Sequence, residues 1–422
     1  MSSDRVLIRA AMVIDAQMVR AAPGAVFIEH GRLIAAGSPQ AIGRPDDVRV
    51  VDLPSSVLVP GLVNAHAHLD LTHLGPVNYG GDFVNWIRFV RTGRAVDSVD
   101  IAASVRRGAA LADTGGTALV GDIAGAGSLI PAQVLREVGM AGVSYVEVFG
   151  VGRSQGAAVE RIRALCAEYG QADGPVRVGV QPHAPYSCGP QVYRAASSSG
   201  LPCATHLAET LDEELFTRRG EGAFADLLRS IGVWDDTMTP SGRHPVEHVA
   251  EALGEAPFVA AHLNYVDMEH LPMLARWGVH VVYCPRASTY FGHPVPGRAP
   301  HRYRDMLEAG VNVCLGTDSM LCLDTPERIS VLDEMRLLHR RDGVDPRLLL
   351  RMATVNGAAA LGFDPATVTL AVDASSARGE AGRRSVLAVE PPDEWIGDPL
   401  RGILMSNTSP TWILHPDRGL VI

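Results

Sequence analysis

Residues 61–69 read GLVNAHAHL, a short apolar run with two histidines near its end. A run of this length between turn residues is typical of a buried β-strand. Seven similar runs follow: TALVGDI (117–123), GVSYVEVF (142–149), VRVGVQPHA (176–184), PCATHLAE (202–209), PFVAAHL (257–263), VHVVYCP (279–285) and VNVCLGTDS (311–319). Helical stretches lie between them, and PERISVLDEMRLLHRR (326–341) follows the last run. Eight strands that alternate with helices predict an α/β fold, a (β/α)8 TIM barrel.

The segments on either side of these runs have a different pattern. Residues 1–58 alternate short β-like runs with glycine, proline and aspartate turns, and residues 366–422 return to such runs. We therefore expect the barrel to occupy residues 59–365. The two terminal segments together are expected to form a small β-sandwich domain, with ASSARGEAGRR (374–384) as an exposed loop.

The composition limits the classes of function. Of the 422 residues, 47% are hydrophobic and 20% are charged, which is ordinary for a globular protein. The formal net charge of -10 makes nucleic acid and anionic membranes poor partners, so a small-molecule substrate is expected. All 37 basic residues are arginine, which excludes mechanisms that need a lysine Schiff base, a P-loop lysine or a carboxylated lysine bridging two metals.

Two further features concern the cellular setting. The six cysteines are far apart and include no C-x-x-C pair, so they are expected to be reduced and mostly buried. The first residues show no basic region followed by an apolar stretch, which predicts a cytoplasmic protein. Because dimers are the commonest assembly of soluble enzymes, a homodimer is expected.

Polar residues near the ends of the predicted strands indicate a reactive centre, because a barrel of this kind carries its reactive side chains at the carboxyl ends of its strands. His66 and His68 are two residues apart and therefore point to the same face of one strand. His206, His262 and Asp318 end strands five, six and eight. An H-x-H pair alone is a weak signal, since single histidines are more often core or surface groups. The joint placement on four strands predicts a catalytic metal site for zinc or ferrous iron.

Six motifs, in the order PGLVNAHAHLD, QPHAPYS, THLAET, AHLNYVD, VVYCPR and GTDS, resemble the amidohydrolase superfamily. Within it they are similar to the branch of cytosine deaminases, guanine deaminases and triazine chlorohydrolases. The resemblance covers essentially the whole chain, including the β segments on either side of the barrel. The glycine-rich segment that usually follows the barrel is not evident in residues 366–390.

The resemblance implies a role for each matching residue. The implied ligands of one divalent metal ion, zinc or alternatively iron, are His66, His68, His206 and Asp318. Glu209 resembles the proton shuttle, His262 the histidine that polarises the departing or attacked group, and His183 a substrate contact. The absence of lysine agrees independently with the mononuclear branch.

These roles imply hydrolytic deamination of an amino-substituted nitrogen heterocycle. The metal would lower the pKa of water toward about 7 and so provide hydroxide at neutral pH. Asp318 would take the proton of the attacking water, Glu209 would protonate the adjacent ring nitrogen, and His262 would stabilise the tetrahedral intermediate. Ammonia would then leave.

Two aromatic and arginine-containing segments are candidates for substrate recognition. FVNWIRFVRTGR (83–94) places Trp86 and Arg88 after strand one, although Phe83, Trp86, Ile87 and Val90 also have the spacing of a core-facing helical stripe. CPRASTYFGHP (284–294) places Arg286 and Tyr290 on a predicted loop after strand seven, where they would cap a pocket or pack the loop. Together the segments resemble aminodeoxyfutalosine deaminases of the alternative menaquinone route, whose substrate is an adenine nucleoside that carries a benzoate.

Several alternatives remain open on the sequence alone. Other substrates in the same branch are S-adenosylhomocysteine, methylthioadenosine, guanine, pterins and triazines, and the same ligands would serve a mononuclear cyclic amide hydrolase. A noncatalytic metal-binding module is disfavoured because every residue that the resemblance assigns to metal binding or catalysis is present: His66, His68, His206, Glu209, His262 and Asp318. Seven histidines without a role are expected to face solvent: His244, His248, His270, His280, His301, His339 and His415.

Overall fold

A computed structural model describes residues 5–170, 174–372 and 384–422. Its strands are β1 (Arg5–Ile14), β2 (Arg20–Ala21), β3 (Gly24–Glu29), β4 (Arg32–Gly37), β5 (Arg49–Pro60), β6 (Leu62–His68), β7 (Thr117–Ala124), β8 (Ala141–Val148), β9 (Val176–Pro182), β10 (Cys203–Leu207), β11 (Phe258–His262), β12 (His280–Tyr283), β13 (Asn312–Leu315), β14 (Asp318–Ser319), β15 (Val386–Val389), β16 (Thr411–His415) and β17 (Gly419–Leu420).

The helices divide between the connections of the barrel and the terminal segments. They are α1 (Pro39–Ile42), α2 (Phe83–Gly93), α3 (Ser98–Thr114), α4 (Ile130–Val138), α5 (Gln155–Tyr169), α6 (Pro190–Ser197), α7 (Leu211–Arg219), α8 (Ala223–Ser230), α9 (Pro245–His248), α10 (Ala250–Glu255), α11 (Leu271–Arg276), α12 (Pro285–Phe291), α13 (Tyr303–Glu308), α14 (Val331–Asp342), α15 (Pro346–Met352), α16 (Val355–Ala360) and α17 (Pro399–Met405). No helix among the described residues is long and apolar enough to cross a membrane.

The predicted barrel is confirmed. Its sheet has the order β13-β12-β11-β10-β9-β8-β7-β6-β14. The eighth predicted run, residues 311–319, forms both β13 and β14, the two strands at the ends of this order. Gly316 and Thr317 separate β13 from β14 and bridge the two edges, since Gly316 N–H donates to Tyr283 O (3.0 Å) and Thr317 N–H donates to His66 O (3.0 Å). A Cβ on Gly316 would lie 2.8 Å from His66 Cβ, so the closure requires glycine at this position.

The terminal segments form one mixed sheet, as the shared β domain predicts. Its order is β17-β16-β15-β5-β1-β3-β4, with β2 paired to β1. The long strand β5 pairs in parallel with β1 and, through Val57–Pro60, antiparallel with β15. Side chains of N-terminal and C-terminal strands, such as Ile8 and Ile413, pack in one apolar cluster. The predicted loop 374–384 lies, except for Arg384, outside the described residues.

The chain divides into two compact units. One consists of 1–64, 110–119 and 327–422, and the other of 65–109 and 120–326. The predicted domain boundaries, after residues 58 and 365, stay predictions. The second unit contains the carboxyl ends of all the barrel strands, so the site described below lies within that single unit.

Two expectations about side chains have different outcomes. All six cysteines carry free thiols, and only Cys166 is partly exposed, which confirms the expectation of buried reduced cysteines. The expectation that the seven unassigned histidines face solvent is wrong, because His244, His270 and His301 are buried. Each is held by hydrogen bonds inside the fold; His244 Nε2, for example, lies 2.9 Å from Tyr265 O.

Candidate active site

Six polar side chains converge at the carboxyl ends of the barrel strands. They are His66, His68, His206, Glu209, His262 and Asp318, and none is more than 8% exposed. The Nε2 atoms of His68 and His206 are 3.3 Å apart, and His68 Nε2 lies 3.5 Å from Asp318 Oδ1. The ring centre of His66 is 5.0 Å from those of both His68 and His206. The four predicted metal ligands are therefore neighbours around one point.

The histidines of this cluster are neutral. Burial, together with the neighbouring His206, lowers the pKa of His66 and His68 well below the ordinary value, and burial lowers the pKa of His206 to about 3. A neutral imidazole offers a nitrogen lone pair, which is the form that binds a metal ion. His206 Nδ1 lies 3.0 Å from His183 O and donates its proton there, so Nε2 keeps its lone pair toward the cluster.

Unsatisfied buried atoms support a cation at this point. His66 Nε2 and His68 Nδ1 are buried and have no hydrogen-bond partner among the described residues. His66, His68 and Asp318 offer ligand atoms within 4.8 Å of one another, and so do His66, His206 and His262. A buried polar atom without a partner is costly, and a metal ion at the centre of the cluster would satisfy His66 Nε2. The donor set of imidazoles and one carboxylate suits zinc or ferrous iron.

The backbone at the ends of these strands is strained. Ala208, His262, Leu263 and Asp318 all have positive φ, between 48° and 75°. Residues with a Cβ rarely adopt this conformation, which costs roughly 1–3 kcal/mol each. The strain lies at the positions that turn Glu209, His262 and Asp318 toward the cluster, which is where functional sites commonly store it.

Glu209 is fixed through its backbone by a second buried glutamate. The Glu213 carboxylate accepts hydrogen bonds from Ala208 N–H (2.9 Å) and Glu209 N–H (3.0 Å). Asn264 Nδ2 donates to Glu209 O from the other side (3.1 Å). Glu213 lies in the first turn of α7, which Thr210 caps by accepting from Glu213 N–H. The start of this helix therefore sets the direction of the Glu209 side chain.

The side chain of Glu209 meets His262. Glu209 Oε1 lies 3.6 Å from His262 Nε2. Burial, with Asp318 and Glu213 nearby, raises the pKa of Glu209 well above its ordinary value, which favours the protonated form of the carboxyl group. His301, unassigned from the sequence, supports His262, since its Nε2 donates to His262 O (2.7 Å). A carboxylic acid of raised pKa beside an imidazole is suited to general acid-base chemistry.

A cavity of about 810 Å³ opens above the cluster. Its wall is mainly apolar, with side chains from α2, α8 and the segment after β8, among them Phe83, Trp86, Val90, Phe149, Phe224 and Leu228. Such a cavity is large enough for a drug-sized ligand, most of whose surface would be buried. The cluster of polar side chains forms its floor, so a ligand in the cavity would reach the candidate metal ligands.

One group of charges at the cavity was not predicted. Arg94 NH1 lies 3.1 Å from Asp70 Oδ2 and 3.5 Å from Glu147 Oε2. Burial raises the pKa of Asp70 to about 6 and that of Asp122, which accepts from Leu69 N–H, to about 7. Glu147 Oε1 in turn lies 3.8 Å from His183 Nε2. The sequence did carry a signal, because Asp122 and Glu147 are acids near the ends of apolar strand runs.

The predicted substrate contacts separate into two groups. His183 and Trp86 line the cavity, and the whole Phe83, Trp86, Ile87 and Val90 stripe does so too. Arg88, Arg286 and Tyr290 are not among the described residues that line it.

The three residues lie elsewhere for identifiable reasons. Arg88 is on the exposed face of α2, where it donates to Asn85 Oδ1 (3.0 Å). The predicted loop after strand seven is wrong, because residues 285–291 form helix α12 with Pro285 in its first turn and Gly292 as its left-handed C-cap. This helix directs buried Arg286 to Asp324 Oδ1 (3.2 Å) and places Tyr290 beside Tyr79.

Comparison with known families agrees with the sequence motifs. Residues 57–372 match the sequence model described as "Amidohydrolase family". This range includes every residue of the polar cluster and most of the chain.

Two relatives and one solved structure are similar over most of their length. The chain is 26% identical to a 5-methylthioadenosine/S-adenosylhomocysteine deaminase of Syntrophobacter fumaroxidans, over 83% of this chain and 78% of that protein. It is 28% identical to an aminodeoxyfutalosine deaminase of Deinococcus radiodurans, over 81% of this chain and 82% of that protein. The fold matches Helicobacter pylori aminofutalosine deaminase in complex with methylthio-coformycin with a TM-score of 0.76, at 18% identity, over 99% of this chain and 100% of that one.

Proposed function

The chain belongs to the amidohydrolase family, and we propose that it is a hydrolytic deaminase of an adenine nucleoside that uses one divalent metal ion. The observation that carries the proposal is the meeting of His66, His68, His206 and Asp318 beside Glu209 and His262, below a large cavity. The relatives named as deaminases of adenine nucleosides support the substrate class.

The proposed metal ligands are His66, His68, His206 and Asp318, with zinc as the expected ion and iron as the alternative. A divalent ion held there would act as a Lewis acid and make water acidic enough to attack at neutral pH. The buried, unpartnered Nε2 of His66 fits such an ion. The histidine cluster is neutral before it binds, so no proton has to be displaced from it.

The residues around the metal site divide the proton transfers. Asp318 is proposed to accept the proton of the attacking water, because its carboxylate lies within the proposed metal site, 3.5 Å from His68 Nε2. Glu209, whose pKa burial raises, is proposed to deliver a proton to the ring nitrogen next to the amino-bearing carbon. His262, 3.6 Å from Glu209, is proposed to donate to or orient the attacked group.

The more specific proposal is that the substrate is 6-amino-6-deoxyfutalosine, an intermediate of menaquinone biosynthesis. Three features support it: the similarity to the Deinococcus deaminase, the aromatic wall of the cavity, and Arg91, an exposed cation on that wall. The aromatic side chains would stack on the benzoate ring, and Arg91 would pair with its carboxylate. Trp86 and His183 are the proposed substrate contacts among the residues selected from the sequence.

The test is an ammonia-release screen of purified protein with adenosine, methylthioadenosine, S-adenosylhomocysteine, 6-amino-6-deoxyfutalosine, guanine and a triazine, with metal analysis alongside. We expect about one zinc or iron ion per chain and the highest kcat/KM for 6-amino-6-deoxyfutalosine. Preference for another adenine nucleoside would correct the specific substrate alone. Ammonia from none of the nucleosides would refute the proposed function.

A matched pair of histidine variants links the metal to the reaction. In His66→Ala we expect the metal content to fall toward zero and kcat to fall at least about a thousandfold, because Lewis-acid stabilisation is lost. His248→Ala is the control, since the His248 side chain bonds to Ser241 and belongs neither to the candidate metal ligands nor to the cavity lining. The homodimer, the cytoplasmic location and the lack of nucleic-acid and membrane partners stay predictions.

A further inference from the structure

We propose that Glu147, together with His183, binds a hydroxyl group of the substrate's sugar and so makes the enzyme select ribonucleosides over deoxynucleosides and free bases. This inference rests on the proposed function. It adds a specificity-determining residue, Glu147, at the end of β8.

The hydrogen bonds around these two residues leave two unused acceptors facing each other. The Ser187 hydroxyl donates to Ala184 O (3.1 Å) and therefore accepts from His183 Nδ1 at 2.6 Å. Because Nδ1 donates to Ser187, the neutral form of the ring has its lone pair on Nε2. Glu147 Oε1 lies 3.8 Å from His183 Nε2, which is too far for a hydrogen bond. No described residue donates a hydrogen bond to Glu147 Oε1.

The charges around the gap between Glu147 Oε1 and His183 Nε2 decide which kind of chemical group can bind there. Arg94 lies 3.5 Å from Glu147 Oε2 and opposes binding of a second cation, such as an ammonium group or a metal ion. Three acids, Asp70, Asp122 and Glu147, surround this one guanidinium and oppose an anion. A neutral hydrogen-bond donor satisfies both conditions, and a hydroxyl group is the donor that a sugar offers.

The position of the gap fits the middle of a nucleoside. Glu147, His183 and His206 have ligand atoms within 4.8 Å of one another, so the two acceptors adjoin the proposed metal ligands. On the other side, Phe149 packs on the ring of His183 with the ring centres 4.8 Å apart and belongs to the apolar wall. A substrate with its heterocycle at the metal site would therefore place its sugar at Glu147 and an apolar 5′ group along the wall.

The test crosses variants of the enzyme with deletions in the substrate. We would measure kcat/KM for adenosine, 2′-deoxyadenosine and 3′-deoxyadenosine with the wild type, Glu147→Gln and Glu214→Gln. Glu214 is a matched control, because it is a glutamate of the same unit whose side chain pairs with Arg218 (Nε–Oε1 2.7 Å). 5′-Deoxyadenosine serves as the substrate control, since it keeps both ring hydroxyls.

For the wild type and Glu214→Gln we expect loss of one ring hydroxyl to lower kcat/KM by about 10- to 100-fold, as for other charged hydrogen bonds. In Glu147→Gln the ratio of kcat/KM for adenosine to kcat/KM for the deoxy substrate should shrink to about threefold or less, because the hydroxyl no longer meets a carboxylate. Calorimetric Kd values of inosine and its deoxy forms should show the same pattern without turnover. If Glu147→Gln does not fold, Glu147→Asp, which keeps the charge next to Arg94, takes its place.

Three results would overturn the inference. Equal kcat/KM for the ribo and deoxy substrates in the wild type would remove the hydroxyl contact while leaving the deaminase proposal intact. An unchanged hydroxyl dependence in Glu147→Gln would assign the contact to another residue. Two bound metal ions per chain would mean that Glu147 and His183 hold a cation instead. Failure to release ammonia from any nucleoside would refute the proposed function itself and the inference with it.

Discussion

The floor and the wall of the cavity are built in opposite ways. The floor consists of six polar side chains that are almost fully buried. The His206 ring is bonded to the backbone of His183, and the backbone of His262 is bonded to the His301 ring. The wall consists of apolar side chains on helices and connecting segments, several of them open to solvent, such as Val96 at 92% and Phe149 at 51% exposure. The floor therefore has one defined geometry, whereas the wall is held by packing alone.

This difference assigns the two regions to different properties of the enzyme. Proton transfer needs groups held at fixed distances, and the strained strand ends of the floor provide them. Recognition of a substituent needs shape and apolar area, which connecting segments can change without disturbing the barrel. Changes in the floor should therefore affect kcat, and changes in the wall should affect KM for particular substrates.

Replacing Glu209 by glutamine should have a larger effect on activity than replacing Glu213 or Phe149. The amide keeps the size of the side chain but cannot deliver a proton, so kcat should fall by about 10²- to 10⁴-fold. KM and metal content should change little, because Glu209 is not one of the proposed ligands. Glu214→Gln, in the same unit, should retain full activity. Full activity of Glu209→Gln in a steady-state ammonia assay would refute its role as proton carrier.

Replacing Glu213 by glutamine tests whether its two hydrogen bonds fix the backbone of Glu209 in the floor. Glu213 accepts from two backbone N–H groups with two oxygens, and an amide offers only one acceptor. The N–H group left without a partner should cost about 1–3 kcal/mol of the free energy of unfolding. Because the Glu209 backbone is then less well fixed, kcat should fall while KM stays nearly constant. Denaturant unfolding and steady-state kinetics measure the two effects.

The control for this variant is again Glu214→Gln, which should change the free energy of unfolding by no more than about 0.5 kcal/mol. Equal stability of Glu213→Gln and the wild type would show that the two hydrogen bonds do not hold the turn at Ala208. A lower stability with unchanged kcat would limit Glu213 to a structural role.

The sequence predicts the floor better than the wall for a physical reason. Strand runs are short and local, and a barrel brings the ends of all its strands together, so His66, His206 and Asp318 can be grouped from the sequence alone. The partners of Arg94 cannot be grouped in this way, because Arg94 and Asp70 lie in the connection after β6 and meet Glu147 of β8 only in the folded structure. The predicted position of Arg286 is wrong because α12 forms where a loop is expected, although Pro285 and Gly292 mark its two ends.

Replacing Phe149 by alanine should have the smallest and most selective effect. Phe149 lines the cavity, is half exposed and packs on His183, so its loss removes apolar contact area but leaves the barrel core intact. For a nucleoside with a large 5′ group we expect KM to rise by about tenfold, which corresponds to a modest loss of apolar contact, with kcat nearly unchanged. For 5′-deoxyadenosine, which does not extend along the wall, KM should change by less than about twofold. Val99→Ala is the matched control, since Val99 is exposed and does not line the cavity. An equal rise of KM for both nucleosides would place Phe149 against the sugar or base, and a fall in kcat for both would mean that the wall also positions the reacting ring.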